Sequence, residues 1–203
     1  MAEKELFITT TRSSLHALIK QLRAANVTDI QMELKQETDL WGGKIGGSID
    51  MTVLNSIGAE AVIDIKWGGT KYRRESLIEN KHLQLVTYSF MRHKLSKSKS
   101  WSSVAYYVID KGTLLAQNTD YFPDAWVATC GDLESESYGG IWEKMRNTYN
   151  WRMAQFEQGR IELTVTGTES DENSNPGEDA LLIPETNDGF NDFKVLMGFG
   201  GGQ

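Results

Sequence analysis

Two short alternating stretches, six residues apart, constrain this chain most. In residues 47–54, Ile49, Met51 and Val53 fall on one side and Ser48, Asp50 and Thr52 on the other. In residues 61–67, Ile63, Ile65 and Trp67 oppose Val62, Asp64 and Lys66. A period of two is the signature of a β-strand. The intervening Asn55-Ser56-Ile57-Gly58 reads as a turn. A hairpin closed there brings Asp50 near Asp64 on one face, with Lys66 pointing to the same place. Two carboxylates and an ammonium on an otherwise apolar face are costly unless paired or bound to a cation. A hard divalent ion resolves the conflict, because Mg²⁺ uses one or two carboxylates, several waters and a substrate phosphate. The lysine would orient or help deprotonate an attacking water, and the metal would stabilise charge on the phosphate.

Residues 75–95 read as one helix, with Leu77, Ile78, Leu85, Tyr88 and Met91 as its apolar stripe. Gln84 and Tyr88 are four apart and share a face. The ordered set Gly46-x-x-x-Asp50, Asp64-Ile65-Lys66 and Gln84-x-x-x-Tyr88 resembles the RecB-type branch of the PD-(D/E)XK nucleases. Each motif is common by chance; the full order is not. The resemblance spans about 45 residues directly and implies a restriction-endonuclease-like core. It implies that Asp50, Asp64 and the backbone carbonyl of Ile65 hold Mg²⁺ or Mn²⁺. It further implies that Lys66 is catalytic, and that Gln84 and Tyr88 contact DNA or brace the site. His16 resembles the histidine that often adds a metal ligand in such enzymes; a lone helical histidine is otherwise a surface or satisfied residue.

Charge supports a polyanionic partner. The whole chain of 203 residues carries a net −7. Between Lys66 and Lys99, however, nine bases face two acids, a local +7. Lys71, Arg73, Arg74, Lys81 and Arg92 from this segment are the expected nucleic-acid contacts. Residues 168–203 hold eight acids and one base among Ser, Asn, Pro and Gly, and read as an acidic disordered tail. The expected organisation is therefore a nuclease domain over 1–167 and a tail over 168–203. Leu181-Leu182-Ile183 and Phe193–Phe199 are candidate docking motifs within that tail.

The rest of the chain fits an α/β domain with a central mixed sheet flanked by helices. Ser13 or Ser14 caps an expected helix from Leu15 to Ala25. Asp29–Gln36 alternates as a strand, leaving Glu33 as an extra acid on a sheet edge. The glycine-dense run Trp41–Gly47 lacks the spacing of a P-loop, and its glycines would let the strand bend and DNA come close. A hairpin over 104–115 turns at Asp110-Lys111-Gly112. Tyr121, Phe122 and Trp126 could pack in the core or stack on bases. A helix over 141–158 stops at Gly159, and 161–165 could close the sheet.

Hydrophobic residues at 39% and no apolar run near membrane length point to a cytoplasmic protein with no membrane partner. The single cysteine, Cys130, excludes an internal disulfide and a four-cysteine iron–sulfur cluster within this chain. Several RecB-type relatives carry such a cluster, and this chain departs from them. The expected activity is metal-dependent hydrolysis of DNA phosphodiesters, as an exonuclease or single-strand nuclease. The alternative is a non-catalytic nucleic-acid-binding or scaffold subunit of a larger DNA-processing complex. Nothing resembles a helicase motor, so unwinding would come from a helicase or other protein subunit. No Gly-x-Ser-x-Gly, HExxH or CxxC motif supports a different hydrolase.

Overall fold

The computed structural model describes residues 2–95, 100–127, 136–160 and 177–181. The chain divides into two compact units, Met1–Trp142 and Glu143–Gln203. The first unit is α/β. Its mixed sheet has six strands in sequence order: β1 (Val27–Leu40), β2 (Gly43–Asn55), β3 (Glu60–Lys66), β4 (Ser103–Val108), β5 (Thr113–Ala116) and β6 (Trp126–Val127). β1, β2 and β3 form an antiparallel meander. β3 and β4 are parallel, and the crossover between them carries helices α2 (Thr70–Ile78) and α3 (Leu83–Leu95). A parallel pair requires such a long return path.

Alternation along β2, β3 and β4 divides the core between the two sheet faces. One cluster joins Met51, Val53, Ile63, Ala105 and Tyr107 to Leu18 and Leu22 of α1 (Ala2–Ala24). The other joins Val104, Tyr106, Val108 and Leu115 to Leu77 and Leu85 of α2 and α3. Asp64 and Lys66 alternate with Ile63 and Ile65, so they fall on the α2–α3 face.

Three expectations are corrected. Helix α1 starts at Ala2 rather than after Ser14. Nothing in residues 2–11 breaks a helix, and Glu3 and Glu5 suit its first turn. Ser14 is therefore no cap: it is buried in mid-helix, its hydroxyl 2.8 Å from the Tyr107 hydroxyl. The single helix over 75–95 is two helices. Asn80 takes a left-handed conformation (φ 55°). Its N–H donates to the Leu77 carbonyl, and the Lys81 N–H donates to Ser76 at 2.8 Å. That is a Schellman stop with asparagine in the usual glycine position. Third, β1 and β2 run further than 29–36 and 47–54, to a two-residue turn at Trp41-Gly42. Both turn residues have positive φ (45° and 85°), as a type I′ hairpin requires. Most of the glycine-dense run is thus strand.

Other expectations hold. The 104–115 hairpin turns through a short 3-10 segment, Ile109–Lys111, with Gly112 left-handed at its end. Tyr121 and Phe122 are core, and Trp126 packs partly buried beside Leu115. Helix α4 (Tyr138–Glu157) ends at Gly159 (φ 74°), where the Arg160 N–H donates to Gln155. In the second unit, Thr148 Oγ1 accepts the Leu181 N–H at 2.8 Å. The strand at 161–165, Cys130, and most of the acidic tail, including its expected boundary at 167, lie outside the described residues. Among the described residues no helix is long and apolar enough to cross a membrane.

Candidate active site

The site forms where β2 and β3 part. Their ladder runs from Leu54↔Glu60 to Met51↔Ile63 and ends there. Continued by one step it would set Asp50 opposite Asp64, side chains on the same face. Instead the Asp50 carboxylate takes over the role of a ladder acceptor: its Oδ2 accepts the Ile65 N–H at 2.8 Å. On the other side, β1 pairs Met32↔Met51 and Leu34↔Ile49 but skips Glu33 and Asp50. Glu33 there has φ 51°, a conformation that a non-glycine residue rarely adopts. Glu33 is exposed and accepts a hydrogen bond from Ser48 Oγ at 3.0 Å, so it is solvated, as a strand-edge acid should be.

Asp64 is only 1% exposed. Lys66 Nζ donates to its Oδ1 at 3.1 Å and lies 2.8 Å from Oδ2. Oδ2 is fully shielded and, that ion contact apart, makes no hydrogen bond. Burial pushes the carboxyl above its ordinary range; Lys66 and the more distant Arg73 pull it down, and the Asp50 charge adds to the rise. Across the parallel ladder Asp64 faces Tyr106. The Arg73 guanidinium lies 5.3 Å from that ring's centroid. Burial likewise raises the Tyr106 hydroxyl, against hydrogen bonds from Ser76 and Arg73.

Gln84 and Tyr88 are one turn apart on α3, and Gln84 Nε2 donates to the Tyr88 hydroxyl at 3.1 Å. The Tyr88 ring lies against Gly47: a Cβ there would come within 3.3 Å of its Cε1. Gly47 is therefore the residue that lets α3 approach β2 beside Asp50. An open cleft of about 430 Å³ runs alongside, lined by Lys35, Gln36, Glu37, Gly46, Gly47 and Ser48.

The expected basic contacts separate into two groups. Lys71 is exposed at the start of α2, 3.7 Å from Glu75, and Arg73 lies over the Tyr106 ring that pairs across from Asp64. Lys81 pairs with Glu79 at 2.6 Å. Arg74 instead lies over the Trp126 ring, 4.6 Å from its centroid. Arg92 is partly buried and already paired: its Nε donates to both oxygens of Glu60 at 2.9 and 3.1 Å, and its Nη1 to Gln36. His16 is exposed on α1, the helix that packs on the opposite face of the sheet from Asp64. The structure thus brings Asp50, Asp64, Ile65 and Lys66 together and leaves His16 apart.

Two neighbourhoods are not evident from sequence. Arg73 is expected there as a nucleic-acid contact, and the structure adds that its guanidinium lies against the Tyr106 ring. Tyr106 has no local signature; only the β3–β4 register reveals it.

The donors suit a hydrated hard cation rather than a caged one. Among the described residues no cluster of three or more His, Cys, Asp or Glu could hold a metal. Magnesium needs less: one or two carboxylates, waters and a phosphate oxygen. Asp64, with its shielded Oδ2, and Asp50 are two carboxylates that could meet that need. In a ladder, a residue's N–H and C=O turn to the same neighbour. The Ile65 N–H is turned to Asp50, so its carbonyl faces the same gap.

No protein-family model matches this chain, and neither does any curated protein sequence.

Proposed function

We propose that this chain is a Mg²⁺- or Mn²⁺-dependent DNA nuclease with a restriction-endonuclease-like core of the RecB type. The observation that carries the reading is the Asp50 carboxylate on the Ile65 N–H at the point where β2 and β3 separate. It sets two acids, an unpaired stretch of strand and Lys66 around one gap. A structural strand has no use for that arrangement, because it gives up ladder bonds and buries a carboxylate.

Asp50, Asp64 and the Ile65 carbonyl would hold the cation. Bound there, it supplies Lewis-acid neutralisation of charge on the scissile phosphate. Lys66 holds the attacking water by hydrogen bonding and keeps a positive charge beside it. Its short contact with Asp64 fixes the ammonium in place before substrate arrives. Gln84 and Tyr88, joined by their own hydrogen bond, brace the wall against Gly47. Arg73 and Lys71 offer cations to flanking phosphates.

The test is incubation of labelled single- and double-stranded DNA with the protein in Mg²⁺, Mn²⁺ or EDTA. Cleavage with either metal and none in EDTA is expected. Binding of DNA without cleavage under any divalent cation would replace the nuclease reading with that of a non-catalytic binding subunit.

A further inference from the structure

Helix α1 and the outermost strand, β1, leave a strip of large apolar side chains in water. On α1, Ser14 and Ala17 meet Tyr107 and Gly112, and Gln21 Nε2 donates to the Asp124 carbonyl. Those three residues turn to the β4–β5 side of the sheet. With about 3.6 residues per turn, Leu15 and Ile19 fall on the other flank of the helix, toward β1, which α1 also touches. On β1, Ile30 pairs with Val53 and Met32 with Met51. Val53 and Met51 join Leu18 and Leu22 in the core beneath α1. Cross-strand partners share a face, so Ile30 and Met32 lie on the α1 face too. The chain reverses at Ala25-Asn26, which sets the level of each side chain. Ile19 is about 9 Å back along the helix and Ile30 about 10 Å out along the strand; Leu15 and Met32 are about 15 and 17 Å from the same reversal. The four are therefore neighbours, and Leu15, Ile19, Ile30 and Met32 are 55%, 36%, 47% and 53% exposed. Together they present roughly 350 Å² of apolar surface, the size at which a patch commonly marks a contact.

Charge indicates what covers the strip. Arg12, Lys20 and Arg23 stand exposed on the outer side of α1, along one margin. Asp29 and Glu33 stand exposed on β1, along the other. A partner of one sign would be attracted at one margin and repelled at the other. A second copy of this chain fits both, because a half-turn about the middle of the strip sets the bases of each copy against the acids of its partner. A stable dimer buries roughly 800 Å² per copy, a little over half of it apolar. The strip and the aliphatic stems of the flanking bases approach that apolar share. Side chains carry the contact rather than ladder bonds, since the left-handed Glu33 (φ 51°) interrupts the free edge of β1.

We propose that Leu15, Ile19, Ile30 and Met32 form the centre of a two-fold interface between two copies of this chain. Asp64 lies in register with Tyr106 on the opposite face of the sheet. Pairing therefore leaves the candidate active site open, and the inference holds with or without the nuclease reading.

The test is sedimentation of the full chain over roughly 1 to 100 μM, a range that resolves micromolar association. Wild type should sediment at twice the chain mass in the upper part of that range. Met32→Lys puts a charge at the centre of the strip and should weaken the dimer at least about tenfold, with the circular dichroism spectrum unchanged. Two charge reversals test the margins. Arg12→Glu with Lys20→Glu makes both margins acidic, and Asp29→Lys with Glu33→Lys makes both basic. Each reversed protein alone should pair more weakly than wild type, and an equimolar mixture of the two should regain the dimer. A monomer throughout the range overturns the proposal and assigns the strip to a different chain. A dimer that Met32→Lys leaves intact overturns it as well, because the contact then lies elsewhere. A mixture that pairs no better than its components overturns the two-fold matching of bases to acids.

Discussion

Replacing Arg92 with methionine removes a cation from a polar cluster that ties α3 to β1, β3 and the residue before β4. Glu60 and Arg92 are 23% and 21% exposed. Beyond the bonds from Arg92, Glu60 Oε1 accepts the Ser102 hydroxyl at 2.6 Å. Breaking a fully buried pair by deleting one partner costs about 3–5 kcal/mol, chiefly because the remaining charge is stranded. With about a fifth of each side chain still in water, screening reduces this to about 2–3 kcal/mol. For a chain of this size that is a fall in Tm of about 5–10 °C. Adding Glu60→Gln should recover part of the loss, because no stranded carboxylate remains. The pH dependence has a fixed sign. Burial alone would raise the Glu60 pKa, but the bonds from Arg92 and Ser102 outweigh it and hold it below 4.5. A depressed carboxylate stabilises the fold above its ordinary pKa, and that stability is lost as pH falls through the folded value. The gap between wild type and Arg92→Met should therefore close in acid. The assay is thermal unfolding of both proteins from pH 7 to pH 3. An unchanged Tm with weaker DNA binding would refute this assignment and return Arg92 to the phosphate contacts.

Three other substitutions follow from the same geometry. His82 is 1% exposed and burial lowers its pKa to about 4, so it folds neutral. The unfolded chain then binds its proton first, and wild type should lose about 3 kcal/mol between pH 6.5 and about 4; a His82→Gln stability profile as steep as wild type would refute this. Gly47→Val places a side chain against Tyr88 Cε1, and cleavage should fall severalfold with the circular dichroism spectrum unchanged; unaltered activity would remove Tyr88 from the site wall. Asp64→Asn should raise Tm at pH 7, because ionising Asp64 costs stability as pH rises from 3.8 through its raised pKa. That advantage should fade below pH 3.8; a lower Tm at neutral pH would mean that Lys66 more than offsets the cost of burial.

The local parts of this architecture were legible in the sequence. Alternation placed Asp50, Asp64 and Lys66 on one face, and the turns at residues 55–58 and 110–112 formed as their residue types demand. The i,i+4 spacing of Gln84 and Tyr88 became a hydrogen bond. What was not legible depended on partners distant in sequence or on a rare backbone state. Arg92 looked like one more base in a basic run, because Glu60 is 32 residues away. Asn80 lay inside the span read as one helix, and its left-handed φ marks where α2 stops before α3 begins at Leu83. Ser14 resembled a cap because its true partner, Tyr107, is 93 residues distant. His16 matched a motif position, but the packing of Leu18 and Leu22 set its helix on the other face of the sheet.

The central claim is that Asp64 belongs to a catalytic centre and not merely to a buried ion pair. Single-turnover cleavage of labelled DNA in Mg²⁺ or Mn²⁺, wild type against Asp64→Asn, tests it most directly. A correctly folded Asp64→Asn protein should cut at least about 10³-fold more slowly, as expected when a transition-state contact is removed. Cleavage by Asp64→Asn at the wild-type rate would contradict the account.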